Sequence, residues 1–359
     1  MKIVLVSSGH SHSTFDVCKF YIAAFQKLGV KQRVVRYDTE VSFAMCALET
    51  FRGGEDTRHE GESIYIASRS ILGTIGMEMP DAVVFITAIT LFHDTMEWIH
   101  QLQANLKKPF RSVVILTESP YSYEEELHAS LYANLVFTNE LSFVNKLRRI
   151  QPESYYLPQA YCEDVHYPRD VDKINKLFFC GSGYPNRLDM LRDAKLGDKL
   201  EIVGKFPGIE EHSPELVPYY TDGAMRNEDV AVEYSRHAIN LNIHRTSGHR
   251  KVFELREANK FNTMSIPVVV RDAYSMNNRA VEIASCQGFQ ICDNSREELF
   301  EVFGDSVPTF EDADDLRDKT LYYLKNEKDR DRLAMESRGK VAERTYVNNA
   351  REILRRIDV

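Results

Sequence analysis

The chain predicts an α/β protein built from two Rossmann-like, doubly wound parallel-sheet domains facing a central cleft. Three observations carry that expectation. Short runs rich in Val and Ile alternate with helical stretches, the alternation breaks once at a proline-rich segment, and then it begins again. Apolar runs separated by helices are what a parallel sheet covered on both faces requires.

The elements follow in order. Lys2–Val6 is a buried first strand, and Phe15–Leu28 has helical spacing through Phe15, Cys18, Ile22, Phe25 and Leu28. Gly29 closes that helix, and Gln32–Tyr37 reads as the second strand. The charged, glycine-bearing stretch from Gly53 to Ser63 reads as an exposed loop. Ala82–Ile86, Ser112–Leu116 and Leu135–Thr138 repeat the buried run, with an amphipathic helix at Met96–Leu106. The break at 151–172 holds Pro152, Pro158 and Pro168 without sustained periodicity and reads as a linker. Beyond it, Lys176–Cys180, Leu200–Val203, Ile239–Ile243 and Phe289–Cys292 read as strands. Helices are expected through Leu188 and Leu191, at Val230–Arg236 and at Arg279–Ser285. From Asp314 the chain reads as helix, broken near Gly339. The expected domains are therefore 1–165 and 170–338, with a helix over 340–359.

Length and composition limit the functions. At 359 residues the chain is comfortable as two domains, and 43% apolar with 28% charged residues is the balance of a folded globular protein. A net charge of −9 argues against holding nucleic acid by bulk electrostatics, although local basic clusters stand at 144–149 and 244–260. The first apolar run is too short for an export signal or a membrane span, so a cytoplasmic protein is expected. The six cysteines have no C-x-x-C spacing and read as small buried hydrophobes.

Two segments carry chemistry. In Asn278–Asp293 a polar loop feeds a helix with Arg279 and Glu282 three apart, hence on one face, and Gly288 stops the helix before a strand ending in Asp293. A cation at a helix start and a carboxylate one turn later can hold a diphosphate and a ribose together; the bland alternative is a surface ion pair. The second segment is Phe179-Cys180-Gly181-Ser182-Gly183-Tyr184-Pro185-Asn186-Arg187, a strand turning through glycines into a helix. Its backbone N–H groups suit a phosphate. Asn186 stands where a dinucleotide fingerprint has its third glycine, and the next strand ends in Gly204-Lys205 rather than an acid, which disfavours an NAD enzyme. With Arg187 in solvent, this segment is equally a plain tight turn.

Arg279-x-x-Glu282 with Ala284-Ser285-Cys286-Gln287-Gly288 and Asp293 resembles a block of the spore-maturation (CgeB-like) glycosyltransferases. So do Phe178–Ser182 with Arg187, Asn240–His244, and the ending Leu321–Leu324 with Arg344-Thr345-Tyr346. The likeness covers the second half well and the first half more loosely. It implies a GT-B fold, group 1 glycosyltransferase-like, with the donor nucleotide-sugar on the second domain and the last helix returning to the first. By this resemblance Glu282 holds the ribose hydroxyls, while Arg279, Asn278 and Gly181-Ser182 face the diphosphate. The expected donor set is Gly181, Ser182, Arg187, Gly204, His244, Asn278, Arg279 and Glu282. Val281 stands where the family has phenylalanine, and the insert between His244 and Asn278 is longer and more basic than the family pattern.

On the acceptor side, His10 in the Ser7–Thr14 loop is a candidate base, with a serine-rich helix cap as the plain alternative. Glu118, after the Ser112–Leu116 strand, is the preferred carboxylate for deprotonating a hydroxyl. His10 and His12 lack a carboxylate partner, so no metal is expected. The acids at 311–315 read as a solvated helix start. The expected function is metal-independent transfer of a hexosyl or pentosyl group from a nucleotide-diphosphate sugar, a UDP-sugar first, to an acceptor hydroxyl, with no further cofactor. The acceptor is open among glycan, small molecule, protein and modified nucleic acid. Alternatives are transfer to modified bases of phage DNA, a catalytically silent nucleotide-binding relative, and a nucleotide-sugar epimerase.

Overall fold

Five consecutive buried residues at Ala82–Ile86 leave no face for water, so helices must cover that strand on both sides. The structure, a computed structural model, describes residues 1–8, 12–52, 57–106, 108–256, 260–269 and 273–358. It divides into two units. The first holds Met1–Pro158, Gly248–Val270 and Tyr346–Val359; the second holds Gln159–Ser247 and Arg271–Thr345.

The first unit runs β1 (Lys2–Val6), α1 (His12–Lys27), β2 (Lys31–Val35), α2 (Tyr37–Arg52), α3 (Thr57–Glu78), β3 (Ala82–Ile86), α4 (Thr95–Asn105), β4 (Arg111–Leu116), α5 (Tyr123–Ser130), β5 (Leu135–Thr138), α6 (Val144–Leu147) and β6 (Ser154–Tyr156). Its six strands are parallel in the order β2-β1-β3-β4-β5-β6. Two expectations fail here. The stretch expected as an exposed loop up to Ser63 is helical from Thr57, with His59 and Ser63 buried. The proline-rich break contains β6, which pairs with β5 and completes the sheet.

The second unit runs β7 (Ile174–Ser182), α7 (Pro185–Asp193), β8 (Leu200–Lys205), α8 (Ile209–His212), β9 (Tyr220–Asp222), α9 (Asn227–Arg236) and β10 (His237–Asn242). The insert then forms β11 (Ser247–Arg256) and β12 (Lys260–Val269), which pair with each other and, from Gly248, cluster with the first unit. The sequence boundary had placed this segment in the second domain. The second unit resumes with α10 (Asn278–Ser285), β13 (Gln290–Asp293), α11 (Glu297–Phe303), β14 (Thr309–Phe310), α12 (Ala313–Lys325) and α13 (Glu327–Lys340), and the last helix is α14 (Tyr346–Ile357). Gly339 lies inside α13, so the expected break falls after it. Tyr346 of α14 sets its ring 5.2 Å from Phe20 and 5.0 Å from Tyr21 of α1, and the Asn349 amide donates to the Pro158 carbonyl at 2.9 Å.

The second sheet is parallel in the order β14-β13-β10-β7-β8-β9. From β7 the chain moves outward through β8 and β9, then returns to lay β10, β13 and β14 on the other side. The strand order therefore reverses between β7 and β10, and the carboxyl ends of strands at such a switch point are where open α/β sheets bind ligands. The expectation of two doubly wound parallel-sheet units holds.

Among the described residues no helix is long and apolar enough to cross a membrane. Five cysteines are buried or partly so, but Cys46 on α2 is exposed, contrary to the reading of all six as buried.

Candidate active site on the second unit

The turn leaving β7 is built on two glycines with different duties. Gly181 and Gly204 face each other in register across β7 and β8. A Cβ on Gly204, whose φ is +151°, would stand 1.7 Å from the Gly181 carbonyl oxygen, so no side chain fits there. A Cβ on Gly181 would meet Phe179 Cζ at 3.3 Å and Arg187 Nη1 and Arg279 Nη1, each at 3.4 Å. Gly181 thus leaves open the space between two guanidinium groups, whereas Gly204 lets the strands approach. Ser182 ends β7 with its side chain exposed.

Arg187 is not in solvent. It is 6% exposed, donates from Nε to the Ile243 carbonyl at 2.9 Å and from Nη1 to the Ser182 carbonyl at 3.2 Å. Those bonds tie the start of α7 to the ends of β7 and β10. Tyr184 lies between two cations, with Arg187 5.2 Å and Arg245 5.6 Å from its ring, and its hydroxyl accepts from Arg245 Nη1 at 2.9 Å.

The start of α10 is held with equal economy. Asn277 caps the helix, its Oδ1 accepting from the Ala280 N–H at 3.2 Å. Its amide also exchanges bonds with Asn242 at the end of β10, at 3.0 and 2.9 Å. His244 completes the brace: its Nδ1 lies 3.0 Å from Asp293 Oδ2, and its Nε2 accepts from the Asn277 N–H at 3.3 Å. Accepting at Nε2 fixes the proton on Nδ1, which then donates to Asp293. Burial pushes the Asp293 carboxyl upward, yet its electrostatic and hydrogen-bonding interactions with His244, and a hydrogen bond from Ser295, outweigh that and hold the acid well below the carboxylate range. Both ring nitrogens of His244 are thus spent inside the protein.

Behind this cap Arg279 is half-buried, donating from Nε to the Tyr234 hydroxyl at 3.3 Å, and Asn278 opens the helix beside it, half-buried. Glu282, one turn on, is 7% exposed. Burial raises its carboxyl to about 7, with Arg279 pulling the other way. The end of α10 also differs from expectation. The left-handed residue is Gln287, φ 55°, and Gly288 donates to the Ile283 carbonyl at 3.0 Å. Gly288 is glycine for a different reason: a Cβ there would lie 2.6 Å from the Tyr234 carbonyl.

The structure therefore brings Gly181, Ser182, Arg187, Asn278, Arg279 and Glu282 to one end of the sheet at its topological switch point. Gly204 and His244 sit behind them as scaffold. The arrangement offers two guanidinium groups, two helix starts and a buried carboxylate, which is chemistry for an anion joined to a polyol.

Known proteins can be set beside this geometry. Residues 187–355 match the family described as glycosyl transferase-like. Spore protein CgeB of Bacillus subtilis is 24% identical over 71% of this chain and 75% of its own length. Sucrose-phosphate synthase from Thermosynechococcus elongatus shares the fold at a TM-score of 0.64, with 13% identity over 99% of this chain and 98% of that one. The chain is a GT-B glycosyltransferase. Anabaena HepE, solved in complex with UDP-glucose, has the same fold at a TM-score of 0.63, with 10% identity over 100% of this glycosyltransferase and 99% of HepE.

Of the two residues expected to serve the acceptor, Glu118 belongs to the first unit. Glu118 follows β4, half-buried, its backbone N–H donating to Glu126 Oε1 at 2.8 Å. Burial lifts the Glu126 carboxyl to about 8. Ser119 Oγ donates to the same carboxyl, so Glu126 pins the turn that presents Glu118. His10 lies outside the described residues. Among the described residues no three His, Cys, Asp or Glu side chains gather in the manner of a metal site.

Sequence reasoning missed Asn277, Asn242, Tyr234, Arg245 and His166. Asn277 carried a usable signal, since Asn before a helix start is a preferred cap. His166, 3.9 Å from Glu282, carried none, standing as it does in the proline-rich segment.

Proposed function

We propose that this glycosyltransferase takes its donor, a UDP-sugar, on the second unit. Glu282 accepts from the ribose hydroxyls, while Arg187, Arg279 and the N–H groups around Gly181-Ser182 and Asn278 hold the diphosphate. The observation that carries the reading is the pair of guanidinium groups flanking Gly181, with the buried Glu282 carboxyl one helical turn from Arg279. The UDP and UDP-glucose complexes of HepE, a protein of the same fold, support uridine as the first base to try.

In the transfer the acceptor hydroxyl oxygen forms a bond to the anomeric carbon as the bond from that carbon to the diphosphate oxygen breaks. Charge grows on the leaving diphosphate, and prearranged guanidinium and N–H donors stabilise it without reorganisation. On this reading those two cations take the part that a divalent metal plays elsewhere, and the acceptor proton passes to Glu118 or His10. His244 positions the α10 start and Gly204 the β7 turn; neither touches the donor.

A thermal-shift screen with UDP, GDP, ADP, CDP and dTDP, with and without EDTA, tests this. One diphosphate, UDP, should raise Tm in the presence of EDTA, and Glu282→Ala should abolish the shift. If no diphosphate binds, or if Glu282→Ala binds UDP as the unaltered protein does, the reading fails.

A further inference from the structure

The segment 159–173, which carries no periodicity of its own, delivers one histidine into the core of the second unit. His166 has a completely buried side chain. A tight turn places it: the His166 N–H donates to the Cys162 carbonyl at 2.7 Å, and the Cys162 N–H donates back to His166 Nδ1 at 3.2 Å. A ring nitrogen that accepts a backbone N–H cannot carry the proton in the neutral imidazole, so Nε2 carries it. That Nε2–H stands 3.9 Å from Glu282 Oε1. Among the described residues, the other ionisable groups that interact with Glu282 are Arg279 on the same helix, Tyr234 on α9, Cys180 on β7 and Cys286 at the end of α10. Burial raises Tyr234 and both cysteines, which leaves Arg279 as the charge that opposes the desolvation of Glu282.

A carboxyl group that receives both hydroxyls of a ribose must offer two acceptors, which only its ionised form does. A buried carboxyl with a single cation beside it, and free to rotate, meets that requirement poorly. We propose that His166 is a positioning residue of the donor site: its Nε2–H orients Oε1 of Glu282 and favours the carboxylate, so that the outer lone pairs stay turned to the ribose diol. This rests on the donor reading above. The separation of 3.9 Å is beyond a direct hydrogen bond and is the kind of spacing that tightens when the ligand engages the outer oxygen.

The test is a thermodynamic cycle between the side chain and the ligand. Titration calorimetry compares UDP with 2′,3′-dideoxyuridine diphosphate on the unaltered protein, His166→Asn and His166→Gln. The Asn amide can still accept the Cys162 N–H but falls short of Glu282; the Gln amide nitrogen reaches where Nε2 stood. His166→Asn should weaken UDP about tenfold while changing the dideoxy ligand less than about twofold, and His166→Gln should restore most of the loss. A purely structural role for His166 weakens both ligands alike in His166→Asn, and that result overturns the proposal, as does unchanged UDP affinity. If the unaltered protein binds UDP and the dideoxy ligand equally, the Glu282–ribose reading itself is wrong and the inference falls with it.

Discussion

Arg187 Nη1 and Arg279 Nη1 stand at equal distance, 3.4 Å, from the point where a Cβ on Gly181 would sit. The two arginines come from different helices, α7 and α10, with Arg187 Nε donating to the Ile243 carbonyl and Arg279 Nε to the Tyr234 hydroxyl. Two guanidinium groups turned to one gap suit an anion there. Gly181→Ala should leave the fold intact, because its φ is not in the left-handed region and the Phe179 ring and the two arginine ends, at 3.3 to 3.4 Å, need to give way by only a few tenths of an ångström. It should cut diphosphate affinity about tenfold by filling the gap, an effect of roughly 1.4 kcal/mol. Calorimetry on a variant with near-unchanged Tm would show it; unaltered affinity would remove the two cations from the phosphate role.

Gly204 gives the opposite expectation. Its added Cβ would collide with the Gly181 carbonyl at 1.7 Å, and its backbone is strained for any L side chain. Neither obstacle is flexible. Gly204→Ala should lose about 3 kcal/mol or more of stability in urea unfolding. A Gly204→Ala protein as stable as its parent would contradict the register of β7 on β8.

The contrast between those glycines marks what the sequence could say. Both stand at strand ends and read identically as donor-site residues; only the register of β7 against β8 separates a ligand gap from a strand contact. The strands at 82–86 and 135–138 were legible because a run buried on both faces has no polar alternation to confuse it. Helix α3 was not, because its first turns hold charges and Gly61, and tertiary burial of His59 and Ser63 decides their conformation. Gly288 was read as the stop of α10, yet the helix ends at Ser285, Gln287 makes the turn and Gly288 avoids Tyr234. His166 lies 116 positions before Glu282, and no local pattern joins them.

The Glu282 carboxyl, raised to about 7, makes two opposite predictions about pH. For folding, a raised acid is protonated more readily in the native state than in the unfolded chain. Its contribution is therefore fully present below the unfolded pKa of about 4.3 and is lost as pH rises toward 7. For binding, the ribose needs the carboxylate, so UDP affinity should rise as pH rises through about 7. Glu282→Gln should flatten that rise and improve stability at pH 8 relative to the parent. Calorimetric affinities and urea unfolding at pH 5.5 and 8 test both; affinity that falls with rising pH would exclude the carboxylate from the ribose.

His244 and Asp293 should behave as a brace and not as ligand groups. Asp293 is held well below the ordinary carboxylate range, so its contribution to stability is present above the unfolded pKa of about 3.9 and is lost only as pH falls through the lower native value. His244→Ala removes the donor that faces the carboxylate and frees the Asn277 N–H, which begins the α10 cap. Asp293 keeps the backbone N–H of residue 244 and the Ser295 N–H and hydroxyl, so the loss is one hydrogen bond to a charged group, about 2 kcal/mol. His244→Ala should therefore lower urea stability by about that amount at pH 7. Diphosphate affinity measured on the folded fraction should fall less than about threefold, because the capping bond from Ala280 to Asn277 is retained. A variant that keeps its stability but loses diphosphate binding would return His244 to direct contact with the donor.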